Sequence, residues 1–370
     1  MFVPITNTPR DYAWGSTTAI AGLLGRTPSG RPEAELWLGA HPGSPARVVD
    51  EDRTLLDVVD GGLPFLLKVL AAGAPLSLQA HPTMAQAVEG FARENAAGVP
   101  LDAPHRNYKD AFHKPELIYA LSDPFRALSG FRPVAETREV LAPVASDPRI
   151  APLLARLTGD DAIRDVFSWL IGGGDDVDDL VEAVVEASAT VDGPSWRTVR
   201  TLADHYPGDP GIAISLLLHT VELDPGEVLY LPAGNIHAYL EGLGIELMAS
   251  SDNVLRGGLT PKHVDVPELL EVLDFRPLPA PYLEPERPRP GVRVFRPDVP
   301  DFVLTVLDDD ALAEGVDLPL SGPAIVLCTQ GRVEVDGGPA LTQGDALYVD
   351  GVDPLRLAGE GVLFVASTGG

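Results

Sequence analysis

The sequence contains one cysteine, Cys328, in 370 residues, so a single chain can build neither an internal disulfide framework nor a thiolate metal cluster. A reducing compartment, the cytoplasm, is therefore expected. Positive charge is also scarce: 27 Lys and Arg stand against 54 Asp and Glu, a formal net charge of −27. Such a field repels nucleic acid, and any anionic small molecule must be held by cations placed locally. No long apolar run is present. The most apolar stretch, 63–78, is broken by Pro64, Lys68, Gly73 and Pro75 and cannot make a membrane span. The first sixteen residues lack a basic segment followed by an apolar core, so no signal peptide is expected.

The chain is 45% hydrophobic with 37 Gly and 36 Pro, which suits a globular, turn-rich protein of two or three packed units at about 100–200 residues each. Up to residue 134, short apolar runs alternate with Gly, Pro and Asp, as in strands joined by turns, and long helices are scarce. From 135 to 206 the pattern becomes helical. Ile150, Leu153, Leu154 and Leu157 recur at helical spacing behind Asp147 as N-cap and Pro148 as first helical residue. Val177, Leu180, Val181, Val184 and Val185 repeat the pattern, with 172–174 (Gly-Gly-Gly) as a hinge. Strand character returns at 213–218 and 228–231 and closes the first unit near 276. Six prolines in 276–291 mark a linker, and residues 292–370 form a second β unit with strands at 324–328, 332–335 and 346–349 and turns at Gly331 and 337–338.

An internal echo links the two β regions. Residues 223–232 and 341–350 align Gly226 with Gly344, Glu227 with Asp345 and Tyr230 with Tyr348, suggesting a repeated β-barrel. Continuing the register sets Leu355 opposite His237, so only the first copy can hold a metal there.

Gln79 and His81 are two apart in a strand-like run and face one side. Glu116 follows His113 and Lys114 and opens the apolar run 117–121. Residues 225–237 join two tight turns to His237 and resemble the second motif of the cupin superfamily. Two imidazoles, a carboxylate and an amide carbonyl suffice for a divalent ion with open positions. Zinc suits this set, and two oxygen donors leave manganese or cobalt open. Residues 244–263 gather Glu246, Asp252, Arg256 and Lys262 around glycines and read as a site wall. Only four lysines occur, at 68, 109, 114 and 262, and three of them fall in or beside these motifs, where a compact ammonium differs from a guanidinium. Trp14 and Trp37 read as packing residues. His41, His105, His205 and His219 have no partner at useful spacing, and Cys328 reads as core.

In order, residues 12–16 (YAWGS), 35–42 (ELWLGAHP), 76–82 (LSLQAHP), 113–116 (HKPE), the His237 motif and 251–262 (SDNVLRGGLTPK) resemble the type I mannose-6-phosphate isomerases, over about residues 1–276. The resemblance implies a mainly β fold of two cupin-type β-barrels (jelly rolls) with an inserted α-helical module. Its units would be a catalytic cupin (1–134 and 207–276), the module (135–206), the Pro-rich linker (277–291) and a degenerate C-terminal cupin (292–370). It also implies a monomer with one zinc per chain, acting on a small-molecule sugar phosphate through a cis-enediolate. The implied metal ligands are Gln79, His81, Glu116 and His237. Arg256 matches the family's active-site arginine; Lys114 and Asp252 match residues of proton transfer or ring opening; His113 and Glu246 are further candidates. Ser77, Lys68 and Lys262 match substrate or phosphate positions. A metal-dependent cupin that binds a sugar phosphate without turning it over is the alternative.

Overall fold

The computed structural model describes residues 1–369, and its strands form two antiparallel sheets of nine and ten strands. At the centre of the first, Phe65–Ala72 is buried at every position because it is flanked on both sides, by Glu35–Leu38 and by His237–Ala249. Lys68 alone interrupts its apolar run. The 13-residue strand His237–Ala249 is the hub. Its first half pairs with Gln79 and with Phe125–Phe131, its second half with Phe65–Ala72 and Glu116–Ala120. The change of partners coincides with a register shift between Tyr239 and Glu241 and with Gly242 at φ +131°, where a Cβ would lie 2.6 Å from the Phe125 ring. Only glycine tolerates that bend beside an aromatic.

The echo is a structural repeat. Val228–Leu231 and His237–Ala249 recur as Ala346–Val349 and Leu355–Ser367 at the same separation. Gly226 and Gly344 have φ of +97° and +91°. Glu227 accepts a hydrogen bond from the Asp224 N–H at 2.9 Å, and Asp345 one from the Thr342 N–H at 2.8 Å. The two sheets pack directly, with Tyr119 edge-on to Phe295 and Phe364 at centroid distances of 5.7 and 5.1 Å.

Several local expectations are corrected. Phe2–Thr6 does not join the first sheet but pairs with Ala346–Val349, covering an edge that would otherwise stay open, so residues 2–6 belong to the second sheet rather than the first. On the first sheet the equivalent edge is covered by the proline-rich segment: the Tyr230 N–H donates to Pro281 O and the Leu283 N–H to Val228 O, both at 2.9 Å. The end of that segment, Glu286–Arg289, is an exposed edge strand of the second sheet. Residues 324–335 form one strand, with Gly331 inside it at φ +80° against Gly361 rather than at a turn. Residues 211–217 are helical, and the strand starts at Leu218; a short, wholly buried apolar run fits either structure, and the Asp209 carboxylate, accepting from the Gly211 N–H at 2.7 Å, favours the turn. Asp147 caps no helix because it pairs with Arg149, and the helix runs Ala151–Arg156. The glycines at 173 and 174, both at positive φ, do separate Ile163–Gly172 from Asp175–Ser188. No helix among the described residues is long and apolar enough to cross a membrane.

The first third also holds a 13-residue helix, Met84–Ala96, opened by a Thr83–Gln86 capping box. It supports the loop leading to Glu116. Tyr108 is fully buried against Gly90, its hydroxyl donates to Glu268 at 2.6 Å, and its N–H donates to Glu94 at 2.9 Å. A Cβ on Gly90 would sit 2.3 Å from the Tyr108 ring. Alanine gains about 1 kcal/mol of helix propensity but incurs overpacking of about 1–3 kcal/mol. Gly90→Ala is therefore expected to cost about 1–2 kcal/mol of stability, read as a lower urea midpoint; an unchanged midpoint would mean that Tyr108 is free to swing aside.

Candidate active site

Three elements bring Glu116, His81 and His237 together. Glu116 opens its strand between Leu231 and Met248, His237 opens the hub strand opposite Gln79, and His81 directly follows Gln79–Ala80. All three are buried. His81 Nε2 lies 3.4 Å from Glu116 Oε1, and His237 Nε2 lies 3.4 Å from Glu116 Oε2. The opposite ring nitrogens face carbonyls: Nδ1 of His81 donates to Asn253 O at 2.7 Å, and Nδ1 of His237 to Asn235 O at 3.2 Å. A carbonyl only accepts, so both protons sit on Nδ1 and both Nε2 lone pairs point at the carboxylate. Burial lowers the His81 pKa to about 4, keeping that ring neutral. His81 Nε2, His237 Nε2 and Glu116 Oε2 are buried without a hydrogen-bond partner. Three inward-facing lone pairs with no donor between them repel one another and leave buried polar atoms unsatisfied. A divalent cation resolves both problems, and one ligand atom from each residue lies within 4.8 Å of the others. Gln79, half-buried, is in backbone register with both His237 and Arg256, next to this cluster.

Lys114 sits against the cluster, its Nζ 2.6 Å from Glu116 Oε1. Burial alone would raise the Glu116 pKa, but the Lys114 ammonium holds the carboxyl well below its usual range. Lys68 stands between two carboxylates. It is buried, and its Nζ lies 2.9 Å from Glu246 and 3.5 Å from Glu35, 5.0 Å above the Trp37 ring. Burial would lower its pKa, but the two carboxylates outweigh this and raise it. Glu246 moves up through burial, with Lys68 opposing and Glu116 and Glu35 reinforcing.

Residues 251–253 tie this wall to the loop before Glu116. Asn253 donates from Nδ2 to Phe112 O at 2.8 Å and accepts the Lys109 N–H on Oδ1 at 2.7 Å, while Ser251 Oγ donates to Asp110 at 2.8 Å. Asp252 is half exposed at the rim, its carboxylate facing His41. Arg256 and Lys262 have no ion-pair partner among the described residues. Burial lowers the Arg256 pKa, and partial burial together with the Arg256 charge lowers that of Lys262. Two neighbouring unpaired cations in an acidic chain make an anion-receptive corner. Ser77 is half-buried, one residue before Leu78, which is bonded to the Arg256 segment through Gly257 and Gly258. His113 turns away from the cluster and hydrogen-bonds Asp301 of the second unit at 2.9 Å.

The sequence reading missed Glu35, His41, Tyr239 and Ser251, and placed Asn253 in the site wall without a role. Tyr239 has the same spacing signal as Gln79 and His81, two residues beyond a ligand on one strand, and its hydroxyl is buried without a partner. Burial and the Glu246 and Glu116 charges raise its pKa well above normal, so it stays a donor. His41 had a signal too, since the tripeptide Ala-His-Pro occurs at both 40–42 and 80–82.

Comparison with known proteins agrees with this picture. Residues 2–134 match the family model described as phosphomannose isomerase type I, catalytic domain. The mannose-6-phosphate isomerase of Salmonella typhimurium is 38% identical over 97% of this chain and 97% of its own, and that of Homo sapiens is 32% identical over 98% and 93%. The crystal structure of the Salmonella typhimurium enzyme bound to its substrate and a zinc atom superposes with a TM-score of 0.90 at 36% identity, covering 99% of each chain.

A divalent cation added at about a hundred times its Kd should stabilise the native state by about 2.7 kcal/mol. Glu116→Gln keeps the volume but removes the anionic donor, so the corresponding rise in melting temperature is expected to vanish. An undiminished rise in that variant would move the cation elsewhere.

Proposed function

Because the chain belongs to the type I mannose-6-phosphate isomerase family, we propose that it interconverts mannose 6-phosphate and fructose 6-phosphate, with one zinc ion held by Gln79, His81, Glu116 and His237. The observation that carries this reading is the convergence of two imidazole Nε2 atoms, both without a hydrogen-bond partner, on a buried, partly unsatisfied carboxylate. Zinc, when bound, supplies a Lewis acid for the substrate oxygens that gain negative charge.

The residues divide the remaining work. Isomerisation opens the sugar ring, takes a proton from carbon 2 and returns it to carbon 1 through a cis-enediolate. Arg256 is a permanent cation without a carboxylate partner, suited to the enediolate charge. Lys262 and the Ser77 hydroxyl take the phosphate end, where the chain's acidity makes local cations necessary. Asp252, at the rim, and Lys114, anchored on Glu116, act on the ring oxygen and hydroxyl. Glu246 fits the proton carrier best, since burial and neighbouring carboxylates raise its pKa toward working pH while Lys68 keeps it ionisable. Lys68 then serves through Glu246 rather than by touching phosphate, and His113, tied to Asp301, acts as a brace rather than a proton carrier.

Architecturally, we propose two cupin-type jelly rolls with the helical module between the halves of the first. The turn-and-strand repeat supports this, and Leu355 in place of His237 leaves the second copy without that donor. The strand Phe2–Thr6 belongs to the second barrel. The protein is proposed to act as a cytoplasmic monomer without nucleic-acid or membrane partners, supported by its net charge and its single buried cysteine.

Zinc-loaded protein is expected to turn mannose 6-phosphate into fructose 6-phosphate, to stop after chelation and to resume on adding zinc. Tight binding of the sugar phosphate without turnover would make the protein a binder instead. Arg256→Ala is expected to lower kcat by about 10²–10³-fold with KM changed by less than about threefold; a raised KM at unchanged kcat would reassign Arg256 to binding.

A further inference from the structure

Three buried histidines border this site, and one differs from the other two. His41 is 5% exposed in the turn after Glu35–Leu38. Its Nδ1 accepts the Gly43 N–H at 3.1 Å. A backbone amide only donates, so the His41 proton sits on Nε2, the reverse of His81 and His237, whose Nδ1 atoms face carbonyls. Its Nε2–H is therefore free to donate. Nε2 lies 3.4 Å from Asp252 Oδ2, a close approach longer than an ordinary hydrogen bond, and no other side chain among the described residues pairs with that carboxylate. The Trp37 ring stands perpendicular to the imidazole at 5.0 Å, and a Cβ on Gly43 would lie 3.2 Å from Nδ1 and 3.4 Å from Trp37, so the ring is walled in on two sides.

The charges around His41 act in both directions. Burial lowers its pKa, Lys68 and Lys114 push the same way, Asp252 and Asp110 oppose, and the outcome is lowered. A neutral imidazole that donates from Nε2 holds a carboxylate in place without neutralising it. Asp252 needs such a hold: its backbone is fixed by Asp110, which accepts the Asp252 N–H at 2.9 Å, but its side chain is 53% exposed.

We propose that His41 is a positioning residue of the isomerase, a neutral Nε2–H donor that orients the Asp252 carboxylate toward the sugar ring. This rests on the role given to Asp252 above.

The test uses the zinc-loaded enzyme and compares His41→Leu, which loses the donor, with His41→Gln, which keeps an N–H near the same point, each alone and combined with Asp252→Asn. His41→Leu is expected to lower kcat by about 10–100-fold, the scale of a lost positioning contact, with zinc content retained and KM within about threefold. Glutamine is expected to restore most of the rate, and His41→Leu is expected to cost less than about twofold in the Asp252→Asn background. Ring nitrogen NMR of the parent enzyme should show His41 protonated on Nε2 at about pH 8. An equal loss in both backgrounds, an unchanged kcat, or a His41 protonated on Nδ1 would each overturn the proposal. Asp252→Asn with parental kcat would also overturn it, by removing the group to be positioned, whereas absence of turnover in the parent would strike the isomerase reading itself.

Discussion

The buried carboxylate of Glu116, set between the Nε2 lone pairs of His81 and His237, is the constraint on which the site depends. A buried anion needs compensation, and Lys114 meets only one of its two oxygens. The other oxygen and both imidazoles face one another without a proton among them, an arrangement that is unfavourable by itself and favourable around a divalent cation. The tautomers behind it are fixed by two backbone carbonyls, Asn253 O and Asn235 O, so the fold prepares the donors before any ion arrives.

This dependence explains the effort spent on backbone around the cluster. The hub strand must open with His237 and still bring Glu246 to Lys68 on the side that Tyr239 faces, and the register shift after Tyr239 with the bend at Gly242 permits both. The carbonyl that orients His81 belongs to Asn253, whose side chain also clamps the loop carrying Lys109, Asp110 and Phe112. Metal donors, acidic rim and loop are thus coupled through one asparagine. A second charge system, Lys68 between Glu35 and Glu246, lies on the neighbouring strands and shares its field with Glu116 and Tyr239.

The cluster of His81, Glu116 and His237 was legible in the sequence because short-range patterns carry it: a two-residue strand spacing that ends at His81, a strand entrance for Glu116, a double turn for His237. The repeat of turn and strands was legible for the same reason, in the paired turns at Gly226 and Gly344. Partners joined across long separations were not legible. Nothing local tells that residues 2–6 complete the sheet of residues 346–349, that Lys68 is spent on Glu246, that His113 leans on Asp301, or that His41 meets Asp252. Residues 211–217 failed for another reason, since a fully buried apolar run has no polar face to reveal its period.

The central claim is that a metal-dependent proton transfer occurs at this cluster, and NMR of the zinc-loaded protein with mannose 6-phosphate in deuterated water tests it most directly. The account predicts fructose 6-phosphate carrying solvent-derived deuterium at carbon 1. No product from folded, demonstrably zinc-loaded protein would contradict it.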